Sequence, residues 1–322
     1  MEAKVSSRAR GIRVSVRVLV FGAGALGSFV AAILSRRNEV AVVARRDHVE
    51  AITRVGLRVT GLTEVLAHPL ASSDVAGLPP DFRPEIAFVT VKSYDTASAA
   101  RALAPLRPRT VVTLQNGLSN AVALEGVSTN VVVALTAVGV TYVNPGEVRH
   151  AGHGLTVVGA WCGEPGEAAG VADLLRVAGM PAEATTELAR ELWLKAAVNA
   201  GINPLTAVHR VPNGALLASE ELARTMRDAA REVARIAIAA GVRLTEAEAE
   251  ARVVQVARAT GENRSSMLQD VERGRPTEIE AITGAVLEKA RELHVPTPVN
   301  EGLYRAVKAL APGRAAGSAP AS

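Results

Sequence analysis

A run of aliphatic and β-branched residues, Val14–Phe21, gives way to Gly22-Ala23-Gly24-Ala25-Leu26-Gly27 and then to a helical stretch, Leu26–Arg36. Three glycines at this spacing, between a strand and a helix, restrict the fold more than any other feature of the chain. The first permits a tight turn, the second lets backbone N–H groups approach a pyrophosphate, and the third allows close helix–strand packing. The start of the helix favours the phosphate's negative charge. The spacing in this setting predicts a dinucleotide-binding loop built from Gly22, Ala23, Gly24, Ala25, Leu26 and Gly27. Without its flanks the glycine pattern would fit any strand–helix turn.

Around that loop the chain alternates. Val14–Phe21, Val40–Val43, Ile86–Val91, Thr110–Leu114 and Val131–Leu135 read as strands, with helices at Leu26–Arg36, Thr96–Leu103 and Ala121–Glu125. Such alternation predicts a parallel sheet covered on both faces. Val138–Tyr142, Val148–His150 and Thr156–Val158 read as a later, antiparallel addition. After Glu187 the β-branched runs stop. Leu188–Gly201, Glu220–Ala240, Glu246–Ala259, Ser265–Glu272 and Glu278–Leu293 are Ala-, Leu-, Glu- and Arg-rich with helical periodicity, punctuated by Gly241, Gly261 and Gly274. The expected class is α/β, an N-terminal Rossmann-type doubly wound parallel sheet followed by an all-α C-terminal domain. The expected divisions are a flexible extension over residues 1–13, a nucleotide-binding domain over 14–186, a helical substrate or dimerisation domain over 187–310, and a disordered tail over 311–322.

Composition removes several classes of function. Of 322 residues 48% are hydrophobic and 21% charged, so the chain can bury a core. Aromatics are only 3%, too few for the stacking platforms of single-strand nucleic-acid binders. The net charge of +4 is scattered rather than massed, which suits a small anionic ligand better than nucleic acid. Cys162 is the one cysteine, which excludes an internal disulfide and a cysteine-cluster metal site and fits a reducing cytoplasm. Val18–Leu34 and Gly126–Gly146 are interrupted by glycines or polar residues, so no membrane span is expected. Basic residues ahead of the first of these runs imitate a secretory signal, but the spaced glycines favour a structural loop.

Five lysines, at 4, 92, 195, 289 and 308, stand among 36 basic residues. Where arginine serves almost every generic role, a retained lysine suggests chemistry that needs a compact, deprotonatable amine. Lys92 and Asn116 each follow a predicted strand, where open α/β sheets bind ligands, although Asn116-Gly117 also suits an ordinary turn. Lys195, Asn199 and Asn203 advance by four and form one polar stripe on an otherwise apolar helix. Such groups are costly to bury without a polar ligand; the alternative is a snorkelling lysine beside asparagines that bridge a joint. After Val42-Val43-Ala44 stands Arg45, with Arg46 beside it, where an acidic residue would select the ribose hydroxyl of NAD. A guanidinium there selects the 2′-phosphate of NADPH instead. Glu278 reads as a first-turn residue favouring a helix dipole, with Thr277 and Glu280 as a capping box. His150 and His153, three apart without a third ligand, are expected at the surface, and no metal site is expected.

With these residues the chain resembles the ketopantoate reductase family (2-dehydropantoate 2-reductase) over about residues 16–310. The carrying stretches are Gly22–Gly27, the strand end at Lys92, Gln115-Asn116-Gly117, Lys195-x3-Asn199-x3-Asn203-Pro204 and Pro212-Asn213-Gly214. Ser265-Ser266-Met267-Leu268-Gln269-Asp270 and Thr277-Glu278-Ile279-Glu280 complete them. The resemblance implies reduction of a small keto acid by NADPH, with Lys195 as general acid and Glu278 holding the substrate and that lysine. It implies further that Asn199, Asn203, Asn213 and Ser266 bind substrate, that Asn116 lies near the nicotinamide, and that Lys92 lies beside the reacting carbonyl. Two alternatives stay open: a β-hydroxyacid dehydrogenase-like reductase of another keto acid, and a non-catalytic NADPH-binding sensor. The apolar faces of the helical domain would be buried internally or in a homodimer.

Overall fold

A computed structural model describes residues 15–310, so the expected extension over residues 1–13 and the expected tail over 311–322 lie outside the described residues. β1 (Arg17–Phe21) and β2 (Glu39–Val43) are each followed by a helix, α1 (Ala25–Leu34) and α2 (Arg46–Val55). Three short strands come next, β3 (Leu57–Gly61), β4 (Val65–Ala67) and β5 (Leu70–Ser72), and then β6 (Ile86–Val89), α3 (Thr96–Leu103) and β7 (Thr110–Thr113). β8 (Asn130–Thr136), the hairpin of β9 (Gly139–Asn144) and β10 (Glu147–Gly152), β11 (Thr156–Cys162), α4 (Pro165–Val177) and β12 (Ala182–Thr185) complete this half.

The main sheet has the order β12-β11-β8-β7-β6-β1-β2-β5. From β8 to β5 all neighbours are parallel, with Val20 paired to Val42 on one side and Phe88 on the other. These strands are apolar because helices cover both faces, so inward and outward positions are alike buried. Chain order reverses at β1, which places the switch point beside the glycine turn and the end of β6.

β11 joins this sheet antiparallel to β8, as expected. The β9–β10 hairpin does not. It pairs with β3 and β4 in a second sheet, ordered β4-β3-β10-β9, that lies over α1. Helix α1 therefore has apolar residues nearly all round: Phe29, Val30, Ile33 and Leu34 share a core with Leu57, Val59 and Val148 of the second sheet. His150 belongs to that layer. It is 4% exposed, its ring 4.7 Å from Phe29, which corrects the expectation of a surface histidine; His153 is exposed as expected.

The second half is helical: α5 (Leu188–His209), α6 (Glu220–Ala239), α7 (Glu246–Ala259), α8 (Ser266–Glu272), α9 (Ala285–Glu292) and α10 (Pro298–Ala309). α5 runs past Gly201 and through Pro204, where the sequence suggested a stop. Its packing against α6 overrides the local signal. A Cβ at Gly201 would lie 2.8 Å from the Met226 carbonyl oxygen, so this glycine permits close helix contact rather than ending the helix. The expected helix from Glu278 instead begins irregularly, with a π-turn at Glu280–Gly284 before α9. No capping box forms there, because Glu280 turns away to accept from the Tyr304 hydroxyl and the Lys308 ammonium.

Candidate active site

The glycine turn separates three tasks by geometry. Gly22 has φ +101° and leaves no room for a side chain, since a Cβ would lie 2.6 Å from the Val91 nitrogen. A Cβ on Gly27 would lie 2.4 Å from Thr90 Oγ1, so this glycine sets how closely α1 packs on the sheet. At Gly24 a Cβ would find nothing nearer than the Gly22 oxygen at 4.0 Å, and the residue is exposed. That open backbone face, beside the unpaired N–H groups every helix start leaves, fits an anionic pyrophosphate. Arg45 stands just past β2 as the N-cap of α2, exposed, with its guanidinium 6.0 Å from the Tyr142 ring centroid. Arg46, the first residue of α2, is also exposed.

Beyond β6 and β7 the loops are tied together. Gln115 Nε2 donates to the Val91 carbonyl at 2.9 Å and to Thr96 Oγ1 at 2.7 Å. Asn120 Nδ2 donates to the Asn116 carbonyl at 2.6 Å. Gly117 has φ +105°, and a Cβ there would lie 2.6 Å from the Ala281 oxygen, so this turn touches the π-turn of the helical half.

The two halves are also joined by charge. Lys92 Nζ lies 2.7 Å from Asp270 Oδ2 and 3.3 Å from Glu278 Oε2. The other oxygen of Glu278 accepts from the Ser93 backbone N–H and approaches Ser93 Oγ, both at 2.9 Å. Glu278 thus spans the cleft and does not serve as a helix-dipole residue. Burial pulls Lys92 down, but the Glu278 and Asp270 carboxylates outweigh it and hold the ammonium above its ordinary range.

Lys195 behaves oppositely. Its Nζ donates to the Thr136 carbonyl at 3.0 Å, and burial lowers its pKa to about 8 against a raising influence from Glu278. A carbonyl partner carries no full charge, so desolvation dominates here, whereas ion pairing dominates at Lys92. Lys195 and Asn199 line one cleft with Asn116, Leu118, Leu135 and Ile282. Two polar residues of α5 and the turn after β7 therefore line the same small pocket.

Asn203 is buried one turn further along α5 and does not line that cleft. Asn213 lies beyond α5, where its Nδ2 donates to Thr260 Oγ1 at 2.9 Å and its Oδ1 is buried without a partner. Ser266 is exposed in the first turn of α8, while Ser265 is buried and accepts from the Leu268 N–H and from Thr206 Oγ1. Sequence reasoning gave no role to Asp270, though it ends the Ser265–Asp270 stretch that carries the resemblance, and it passed over Ser93 and Ile282. Asp270 carried a weak signal, standing one helical turn after Ser266, on the same face. Among the described residues no group of three His, Cys, Asp or Glu side chains could hold a metal, and no helix is long and apolar enough to cross a membrane.

Comparison with known proteins places this architecture. The family described as "Ketopantoate reductase PanE/ApbA" matches residues 18–163, and its C-terminal counterpart matches residues 187–311. A 2-dehydropantoate 2-reductase of Archaeoglobus fulgidus is 41% identical over 303 residues, covering 92% of this chain and 98% of the relative. The crystal structure of a ketopantoate reductase from Ralstonia eutropha superposes with a TM-score of 0.82 at 32% identity, over 91% of this chain and 98% of that one. The ternary structure of D-mandelate dehydrogenase with NADH and anilino(oxo)acetate, at 24% identity and a TM-score of 0.85, covers 91% of this chain and 98% of its own and shares the fold. By sequence over both halves and by structure, the chain belongs to the ketopantoate reductase family.

Proposed function

We propose that this protein reduces 2-dehydropantoate to (R)-pantoate with NADPH, a step toward pantothenate and coenzyme A. The observation that carries the reading is Lys195, a lysine whose pKa is lowered to about 8 by burial, lining one cleft between the two halves with Asn116 and Asn199. Family membership and the names of the relatives support the substrate; the exposed guanidinium of Arg45 at the end of β2 supports the phosphorylated cofactor.

When bound, the nicotinamide cofactor would supply the hydride. The glycine turn and the start of α1 would hold its pyrophosphate, Arg45 its 2′-phosphate, and Asn116 would border its nicotinamide end. Lys195 would stabilise the negative charge developing on the ketone oxygen and donate the proton that completes the alcohol. Asn199 borders the same cleft and would orient the substrate, with Asn203, Asn213 and Ser266 completing its binding as the domains adjust around it. Lys92 would balance the substrate's carboxylate or the oxygen from the opposite wall, while Glu278 keeps both lysines in register.

Oxidation of NADPH by purified protein, measured with 2-dehydropantoate and with a panel of bulky and small 2-keto acids, tests the assignment. Turnover with 2-dehydropantoate at the highest kcat/KM is expected. Preference for another keto acid would redirect the substrate, and cofactor binding without turnover of any keto acid would overturn the enzymatic reading.

A further inference from the structure

The adenosine end of the proposed site contains an assembly that the reaction does not use. His48, at the third position of α2, is 1% exposed. Its Nδ1 accepts the Gly146 N–H at 2.8 Å, and a backbone donor cannot reverse its role. Nε2 therefore carries the ring proton and donates to Ser28 Oγ at 2.9 Å, and that hydroxyl donates to the Ala23 carbonyl at 3.1 Å. One hydrogen-bonded chain thus links the tip of the β9–β10 hairpin, α2, α1 and the glycine turn.

Tyr142 of β9 completes the assembly. Its hydroxyl lies 3.2 Å from His48 Nδ1, and its ring centroid is 5.2 Å from the His48 ring. The Arg45 guanidinium carbon lies 6.0 Å from the same centroid, within the range of a cation–π contact. The hairpin is fixed against α2 by Gly146, with φ +79°, where a Cβ would come 3.1 Å from the Ala51 Cβ and 3.4 Å from the Gly56 oxygen. Tyr142 is thus anchored from below by a buried histidine, and an exposed arginine rests against it.

We propose that Tyr142 is a specificity-determining positioning residue, a platform that holds Arg45 ready for the 2′-phosphate of the cofactor, with His48 locking that platform to the glycine turn. The inference rests on the NADPH reading above. An arginine on an exposed helix start samples many rotamers, and an aromatic face that restrains it reduces the entropy lost when phosphate binds. The second sheet would thereby contribute to cofactor choice without touching the reacting atoms.

Calorimetric titration of the full chain with adenosine 2′,5′-bisphosphate and with adenosine 5′-monophosphate isolates the phosphate subsite from the chemistry. The wild type should prefer the bisphosphate, and Tyr142→Ala should cut that preference by about fivefold while leaving the monophosphate unchanged. Tyr142→Phe, which keeps the ring, should retain most of it. In an Arg45→Ala background Tyr142→Ala should cost nothing further, as expected of a residue acting through Arg45. A wild type without the preference would overturn both this proposal and the NADPH reading. A preference that survives Tyr142→Ala, or additive losses in the double variant, would overturn the platform alone. Equal weakening of both ligands would make Tyr142 a structural residue.

Discussion

The two lysines of the candidate site have opposite electrostatics. Lys92 is held charged by two carboxylates, whereas Lys195 has a carbonyl oxygen 3.0 Å away and a pKa of about 8. Only the second is poised to give up a proton near neutrality. Lys195→Ala should therefore lower kcat by about 10² to 10⁴ while cofactor affinity, read by fluorescence titration, changes little. With Lys195 as the proposed general acid its protonated form would be the competent one, so kcat/KM should be flat below pH 8 and fall as pH rises through about 8. Glu278 raises the lysine's pKa, so Glu278→Gln should move this limb to lower pH; an unmoved limb would separate the two residues. The same burial is a stability cost. A fall from 10.5 to about 8 corresponds to about 3 kcal/mol against the charged form. Because the folded value is lowered, that penalty is complete below about pH 8 and disappears as pH rises toward the unfolded value. Lys195→Met should accordingly raise Tm at pH 7 in calorimetry and lose this advantage near pH 10.5, with kcat lowered as in Lys195→Ala.

At the scale of elements, the glycine turn offers a clean contrast. Gly22 combines φ +101° with a blocked Cβ position, whereas Gly24 faces open space. Gly22→Ala should destabilise the fold by more than about 1 kcal/mol and weaken the cofactor as a consequence. Gly24→Ala should leave Tm within a degree or two and raise the cofactor Kd, because only the ligand would meet the new methyl. Equal Tm losses in calorimetry would show that both glycines serve the fold. This turn is legible in the sequence because its signal is local, a strand, three glycines and a helix in succession. The stripe of Lys195 and Asn199 is legible for the same reason. α2 is not: with Asp47, Glu50 and Arg54 it buries a narrow face of His48, Ala51 and Ile52, too few apolar positions to set a helical period. β3 to β5 are short and partly exposed, so they read as loop. Asp270 resembles a surface acid on a short helix because its partner, Lys92, stands 178 residues away. Local spacing announces local geometry, and a pair formed only by folding leaves no such mark.

On the scale of the whole molecule, the halves meet through the Lys92 ion pairs, the Glu278 contacts to Ser93 and the Gly117 turn. The Lys92 side chain is 37% exposed while the Asp270 and Glu278 side chains are buried, so solvent screens its ion pairs only from the lysine side. The cleft beside Lys195 has about 10 Å³ of water-accessible space, room for roughly one water. A keto acid and a nicotinamide ring need far more, so we expect the halves to part when they bind. Parting would draw Asp270 and Glu278 away from Lys92 and Ser93. Lys92, Asp270 and Glu278 thus form a charged clasp between the halves. Asp270→Asn removes one of its two carboxylate charges without touching the Glu278 contacts to Ser93. Hydrogen exchange of the apo protein should then quicken in Ser93–Asp95 and Glu280–Gly284, with the sheet core unaffected. High salt should quicken the same segments in the wild type, because the Coulomb part of the clasp is screened. Exchange unchanged by either treatment would mean that apolar contacts around Ile282 and the Gly117 turn hold the halves together, and that the charges only position Lys92.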